Sequence, residues 1–382
     1  MSQDFTKVLV KDDRLDVKDT IKYAVVKGGQ NVTSAEFRAN SEGINSHTYN
    51  INVPSEQTII DREVLWTSTV QLKLTGKMGA VQPTQGGVAV PGIVLFDYGV
   101  CDALAPFPLH SLVNVMQCTI NNNTISQNTA DILPQLTRML KRKQVAKYNG
   151  YTPTALDTYS DYDDAIGSNN NSLGAYGNSL DNDYHPRGSW VLTSIADHIN
   201  AKPGELGGYP SFSTVANSTH TVYVTFTVTE PILLSPFIFG HPWSNNQGFY
   251  GIQNMNFVMN MGQANRVWRR GSATGKISDD PGVWIENGLI DDFKVEVVSY
   301  KDSNLKFNFL TPHPSELMPA RNVVGFYEMP LYLTPHKVAL ATGATKDGLA
   351  STTVSLNQIP DKLIICVKKP VAFLKNTDPD FF

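Results

Sequence analysis

The sequence is poor in charged residues. Only 17% of its 382 residues are Asp, Glu, Lys or Arg, whereas soluble domains average about 25%. The formal net charge is −4, so no overall positive field draws the chain to nucleic acid. The three cysteines, Cys101, Cys118 and Cys366, lie far apart in the sequence, which excludes a disulfide-rich scaffold and a cysteine-rich zinc site.

Long apolar runs are absent as well. The most apolar stretch, Pro231–Phe239, has nine residues and two prolines, whereas a membrane-spanning helix needs about 20 apolar residues. The residues after Met1 lack the apolar core of a secretory signal peptide. We therefore expect a protein made in the cytosol, without a signal peptide or a transmembrane segment.

The chain also lacks a recognisable catalytic motif. Its eight histidines form neither a His-x-His unit nor a pair four residues apart, the usual beginnings of a metal site. The Gly271–Lys276 segment has too few residues between its glycines for a phosphate-binding loop. No spacing of glutamates singles out the carboxylate pair of a glycosidase. We therefore predict no enzyme activity, no metal and no cofactor.

What the sequence does contain is turn formers and alternating strands. The clearest strand, His220–Thr229, places Val222, Val224, Phe226 and Val228 on one face, which predicts a half-buried strand. Further strand candidates are 64–75, 92–96, 113–120, 251–261, 293–300, 305–310, 323–333, 352–356 and 362–368. Helices are expected only at 129–147 and 190–199. This pattern predicts an all-β fold of two consecutive jelly rolls or sandwiches with few short helices and long loops.

We expect three regions along the chain. Residues 1–50 lack clean periodicity and are interpreted as an N-terminal arm, or equally as a small pair of strands. Residues 51–239 form the first jelly roll, with a long surface loop near 157–188, and residues 240–382 form the second. The boundary is placed in the proline-rich break at 231–242. The last region offers fewer strand candidates than the roughly eight of a full jelly roll, so it is incomplete or compressed, or the boundary lies elsewhere.

One segment combines aromatic residues and methionine with little charge, a composition typical of the cores of protein interfaces. The same composition also fits a buried connection between domains that is followed by a strand. As candidates for a subunit interface we take Trp243, Phe249, Tyr250, Met255, Phe257 and Met259.

Two polar segments are further candidates. The surface loop would display Asp157, Tyr159, Asp161, Tyr162, Asp163 and Asp164, which lack the spacing of a calcium-binding loop. The predicted helix carries the cations Arg138, Lys141, Arg142 and Lys143, which are candidates for contact with phosphate. No aromatic stacking residues are interleaved with these cations, so direct contact with nucleic acid is not expected.

Three segments resemble the major capsid proteins of double jelly-roll viruses. Phe107–Asn128 contains a Phe-Pro-Leu segment that leads into a strand, then an Asn-rich turn and a Ser-Gln-Asn element. Val228–Phe237 looks like the strand that closes the first barrel and leads into the second. Leu356–Lys369 is similar to an Ile-Pro-x-Lys strand of the second barrel.

The resemblance implies a structural protein without an active site. In this family each subunit stacks two jelly rolls, and three subunits form a capsomer that tiles an icosahedral shell. The implied location is the virion capsid, after synthesis in the host cytoplasm. The implied partners are other copies of the chain, pentameric vertex or minor capsid proteins, and an internal membrane under the shell.

Two alternatives stay open at this point. One is a β-sandwich module for carbohydrate binding or host attachment, in which the surface loop binds the ligand. The other is a single jelly-roll coat protein with a projecting domain.

Overall fold

The computed structural model describes the chain in several stretches. They are residues 32–78, 84–85, 88–89, 93–94, 102–104, 107–132, 194–197, 211–212, 219–237, 248–262, 264–270, 274–276, 284–286, 290–311, 325–332, 353–356, 359–360 and 363–365. In these stretches strands dominate and helices are few and short, which confirms the fold class predicted from the sequence.

The strands are numbered in chain order. They are β1 Val32–Arg38, β2 Ser41–Glu42, β3 Ser46–Ile51, β4 Ile59–Ile60, β5 Leu65–Met78, β6 Thr84–Gln85, β7 Val88–Ala89, β8 Ile93–Val94, β9 Asp102–Leu104, β10 Val113–Ile120, β11 Asn123–Gln127, β12 Ser194–Asp197, β13 Ser211–Phe212, β14 Thr219–Pro231, β15 Met255–Met261, β16 Trp268–Arg270, β17 Thr274–Lys276, β18 Trp284–Glu286 and β19 Ile290–Leu310. Helix α1 spans Pro108–Leu112, and a 3-10 turn spans Ala264–Arg266.

Two large sheets form the body of the described structure. One has the strand order β1-β19-β5-β14-β12, with β4 paired to β19, and the other has the order β11-β10-β15-β3-β2. Every strand pair in these two sheets is antiparallel. Strands far apart in sequence are neighbours, as β1 with β19 and β3 with β15, which is typical of a jelly roll.

The core lies between the two sheets. On β14, Val222, Val224, Phe226 and Val228 are all buried, so the alternation read from the sequence is confirmed. Contact across the interior includes Phe257 of β15 and Phe307 of β19, whose ring centroids are 6.1 Å apart. Removing these apolar faces from water is the main force that holds two sheets together.

The expected N-terminal arm is in part strand. β1 pairs with β19 over its whole length, and β3 pairs with β15. Tyr49 and Ile51 of β3 are buried in the core. Residues 32–50 therefore contribute strands to both sheets of the sandwich, and residues 1–31 lie outside the described part of the chain.

Both large sheets contain strands from before and after residues 239 and 240, where the sequence analysis placed a domain boundary. β15 and β19 both lie beyond that point, yet each occupies an interior position of a sheet. The proline-rich stretch is instead an internal connection. Its residues Ile232–Leu234 are buried, and the Ile232 N–H donates to the Val64 carbonyl at 2.8 Å. Proline interrupts strand pairing whether or not a domain ends there, so the break did not identify a boundary.

Several smaller predictions also need correction. The helix expected at 190–199 is contradicted by β12, whose pairing with β14 overrides local helix propensity. The strands expected at 293–300 and 305–310 are one strand, β19, with irregular register near Asp302. The described residues of the three strand candidates beyond 320 show no strand pairing. Of the helix expected at 129–147, residues 129–132 are helical and the rest lie outside the described residues.

Gly248 lies where two backbones come unusually close. Ile60 and Phe249 form an antiparallel bridge, in which each N–H donates to the other residue's carbonyl at 2.7 and 2.8 Å. A Cβ atom on Gly248 would lie 2.4 Å from the Ile60 carbonyl oxygen and 2.6 Å from Cγ2 of Ile59. The bridge therefore has no room for a side chain at this position.

We expect Gly248→Ala to lower the free energy of unfolding by about 2–3 kcal/mol, because the added methyl group forces the backbone of the bridge apart. Urea unfolding followed by tryptophan fluorescence measures this change. Gly43→Ala is the matched control, since its Cβ would lie 3.6 Å from the nearest atom. An equal loss of stability in both variants would contradict the steric explanation.

Candidate functional site

The first two segments that carry the family resemblance meet in the interior of the sandwich. Glu230, near the end of β14, extends its carboxylate to the first turn of α1. Its Oε1 atom accepts the Leu109 N–H at 2.8 Å, and its Oε2 atom accepts the His110 N–H at 3.1 Å. Helix α1 leads directly into β10, so this one side chain connects the six-stranded sheet to the five-stranded sheet.

The helix needs this distant partner because its own N-terminus has none. The residue before it, Phe107, adopts a left-handed conformation (φ 49°) and has no side chain that could cap the helix. Pro108 fits the first helical position, where an N–H would have no partner in the helix. The next N–H groups still require acceptors, and a carboxylate at the positive end of a helix is favourable. Glu230 supplies from another strand what the local sequence lacks.

His110 completes the network with both of its ring nitrogens. Nδ1 lies 2.6 Å from Glu230 Oε2, and Nε2 accepts the Leu233 N–H at 3.1 Å. A nitrogen that accepts carries no proton, so the hydrogen bonds assign the proton to Nδ1, which donates to Glu230. The Leu233 carbonyl in turn accepts from Gln127 Nε2 at 3.0 Å. Both polar backbone groups of Leu233 are thereby held by side chains from the Phe107–Asn128 segment.

The chemistry of this network suits a structural role. Glu230 and His110 are fully buried, and their side-chain polar atoms are engaged by protein donors and acceptors. Buried charge is tolerated only when it is paired and hydrogen-bonded in this way. The network can fasten two segments of the chain to each other. In the part of the chain that the structure describes, no group of three or more His, Cys, Asp or Glu residues is arranged to hold a metal ion.

The structure corrects the candidate subunit interface. Five of its six residues are core residues of the sandwich, with 6% or less of their surface exposed: Phe249, Tyr250, Met255, Phe257 and Met259. A side chain that is covered inside its own domain offers no area to a neighbouring subunit. Aromatic residues and methionine fill domain interiors and interface cores alike, so the composition did not distinguish the two. Trp243 lies outside the described residues.

The other two candidate sets fall outside the described part of the chain. They are the surface-loop residues Asp157, Tyr159, Asp161, Tyr162, Asp163 and Asp164, and the cations Arg138, Lys141, Arg142 and Lys143. Both sets stay predictions. Of the three cysteines the structure describes Cys118, a free and buried thiol whose pKa is raised by burial.

The sequence reading missed the roles of Glu230 and His110, although one signal was present. The buried face of β14 comprises every second residue, and Glu230 continues that series after Val228. A glutamate in an inward position of a strand must find donors in the interior. The alternation therefore indicates a buried carboxylate, but it does not reveal that α1 supplies the donors.

We expect Glu230→Gln to lower the free energy of unfolding by about 3 kcal/mol. In either orientation of the new amide, its NH₂ group faces a backbone N–H, that of Leu109 or that of His110, which a carboxylate oxygen of Glu230 accepts in the wild type. Urea unfolding measures the loss. Glu296→Gln is the matched control, because Glu296 forms an exposed ion pair with Lys73 at 3.5 Å, and such pairs contribute under about 1 kcal/mol. Similar losses in the two variants would contradict a special role for the buried carboxylate.

Comparisons with known proteins place the chain in a family. The family model described as the Sputnik virophage major capsid protein 1st domain matches residues 3–310. The match ends where β19 ends, at Leu310. A curated relative, the putative capsid protein V20 of Sputnik virophage, is 28% identical over 374 residues, which are 95% of this chain and 54% of the relative. The chain therefore spans about half the length of the curated relative it matches.

One solved structure shows the same fold, and a second is reported beside it. The 3.5 Å cryo-EM structure of the Sputnik virophage has a chain that is 24% identical, with a TM-score of 0.52, over 82% of this chain and 54% of that one. The crystal structure of the mavirus major capsid protein is 12% identical, with a TM-score of 0.43, over 80% of this chain and 51% of that one. No helix among the described residues is both long and apolar enough to cross a membrane.

The residues matched by the family model include α1, β14 and the buried network between them, as well as both large sheets. Through residues 3–310, the chain belongs to the family of Sputnik virophage major capsid proteins.

Proposed function

We propose that this chain is a subunit of a viral capsid that assembles with copies of itself into trimeric capsomers of an icosahedral shell. The observation that carries the proposal is the match of residues 3–310 to the first domain of a major capsid protein.

We also propose how the chain divides. The first jelly roll runs to the end of β19 at Leu310, and the residues after 311 belong to a second jelly roll. Two observations support this division: the family match ends at residue 310, and β19 is the last strand of the sheets described. Residues 1–31 keep their expected role as an N-terminal arm that contacts a neighbouring subunit.

The family suggests a structural protein, and we propose that the chain has no catalytic activity and needs no cofactor. Its main partners are copies of itself in the capsid lattice. Further proposed partners are pentameric vertex proteins, minor capsid proteins and a membrane beneath the shell, whereas direct contact with nucleic acid is not part of the proposal. The proposed location is the virion, after synthesis in the host cytoplasm.

We expect the purified chain to form trimers at micromolar concentration. Mass photometry would give the mass of the assembly, and negative-stain microscopy would show particles with threefold symmetry. A chain that stays strictly monomeric while it is folded would contradict the proposal. Deletion of residues 157–188 is a useful second variant: trimers that persist without this segment would show that the subunit contacts lie elsewhere, in either jelly roll or in the arm.

A further inference from the structure

A second buried cluster lies between β3, β5 and β19, with His47 at its centre. His47 is fully buried, and its ring is surrounded by aromatic rings from all three strands. The ring centroids of Tyr300, Trp66 and Tyr49 lie 4.4, 6.2 and 6.5 Å from that of His47, at interplanar angles between 68° and 89°. The histidine is therefore enclosed by the edges and faces of aromatic side chains.

The cluster is organised by Ser303, which an irregularity in β19 turns inward. The register of β19 against β5 shifts between Lys301 and Asn304, and Asp302 adopts a left-handed conformation (φ 52°). Ser303 Oγ lies 2.6 Å from the Tyr49 hydroxyl and accepts the Trp66 Nε1–H at 3.2 Å.

The same residue also contacts β2 and the histidine. The Ser303 N–H donates to Glu42 Oε2 at 3.1 Å, and Ser303 Oγ lies 3.4 Å from His47 Nδ1. One serine in the irregular part of β19 thus holds side chains from β2, β3 and β5.

The imidazole of His47 has no counter-charge. Its Nε2 atom is buried and has no hydrogen-bond partner, and no described carboxylate lies within ion-pair distance of its ring. The phenols of Tyr49 and Tyr300 cannot supply a negative charge, because burial raises the pKa of both, that of Tyr49 to about 12. The charged residues closest to the cluster along the chain are exposed: Glu42 on β2, which pairs in register with His47, Arg38 on β1, and Lys301 and Asp302 on β19. The neighbours on β15 and β5, Met259 and Trp66, are uncharged.

Such a site admits only the neutral form of histidine. A protonated ring would place a charge among aromatic carbons, with a second N–H donor that has no acceptor. Burial accordingly lowers the pKa of His47 to about 4.

We propose that His47 is an acid-sensitive element of the first domain, whose protonation separates the β2–β3 hairpin from the irregular segment of β19. The inference goes beyond the proposed function, because it concerns the folding of the first domain itself. It holds whether or not the chain forms trimers.

The direction of the pH effect follows from the two states. The unfolded chain binds a proton at His47 near the ordinary pKa of about 6.5, and the folded chain does so only near 4. The stabilising effect of neutral His47 is complete above pH 6.5. It falls as the pH decreases from about 6.5 to about 4, and it changes no further below about pH 4. At pH 5 this one residue raises the equilibrium constant for unfolding about 30-fold relative to pH 8.

Urea unfolding of the full chain at pH 8 and pH 5 tests the proposal. When the pH is lowered from 8 to 5, the equilibrium constant for unfolding of the wild type should increase by a factor about 30 times larger than that of His47→Gln, which has no titrating ring. Tyr300→Phe is the control, because it alters the same cluster but removes no group that titrates below pH 8, and it should keep the pH dependence of the wild type. Equal pH dependence in the wild type and His47→Gln would overturn the proposal.

A second measurement covers the case in which His47→Gln does not fold. Hydrogen exchange at the imidazole C2 position, followed by mass spectrometry of the wild type, gives the pKa of each histidine. A value for His47 well below 6.5 supports the proposal, and a value near 6.5 overturns it.

Amide exchange at pH 5 should show lost protection in peptides covering 41–49 and 299–305. Protection in these peptides that is the same at pH 5 and pH 8 would contradict the separation of the hairpin from β19.

Discussion

The architecture of the first domain depends on a carboxylate that is buried without access to water. Moving such a group from water into a protein interior costs several kcal/mol unless donors replace the lost hydration. Glu230 receives those donors from the backbone of Leu109 and His110 and from the His110 ring. Because the donors belong to α1 and the acceptor to β14, the requirement to satisfy one charge fixes how the two sheets are joined. The His110 ring also accepts the Leu233 N–H, which joins the chain after β14 to α1.

The sequence predicted those parts of the fold that depend on nearest-neighbour patterns. The limits of β10 agree with the prediction to the residue, and the Asn-rich turn after it has Asn121 and Asn122 in the left-handed region, at φ 46° and 68°. Alternation along β14 identified its buried face. Each of these features is decided within about ten residues of chain, by side-chain periodicity or by the tolerance of asparagine for turn geometry.

Features decided by contacts distant in sequence were predicted less well. The alternation of methionine with asparagine in β15 indicates a strand, but nothing local shows that β10 and β3 flank it and cover Met255, Phe257 and Met259. The same limit explains the displaced domain boundary, since Pro231 and Pro236 mark a break in strand pairing and carry no information about which sheet the chain enters next. His47 and Ser303 lie far apart in sequence, so their contact could not be read from either segment.

The pairing of β1 with β19 has a consequence for how the protein is made. Val32 has its partner at Leu310, and β3 has its partner in β15, so early strands leave the ribosome long before the strands that complete their sheets. During that interval the nascent chain carries unpaired strand edges and uncovered apolar faces, the features that promote aggregation. The first domain can therefore close only late in translation, after residue 310 has left the ribosome.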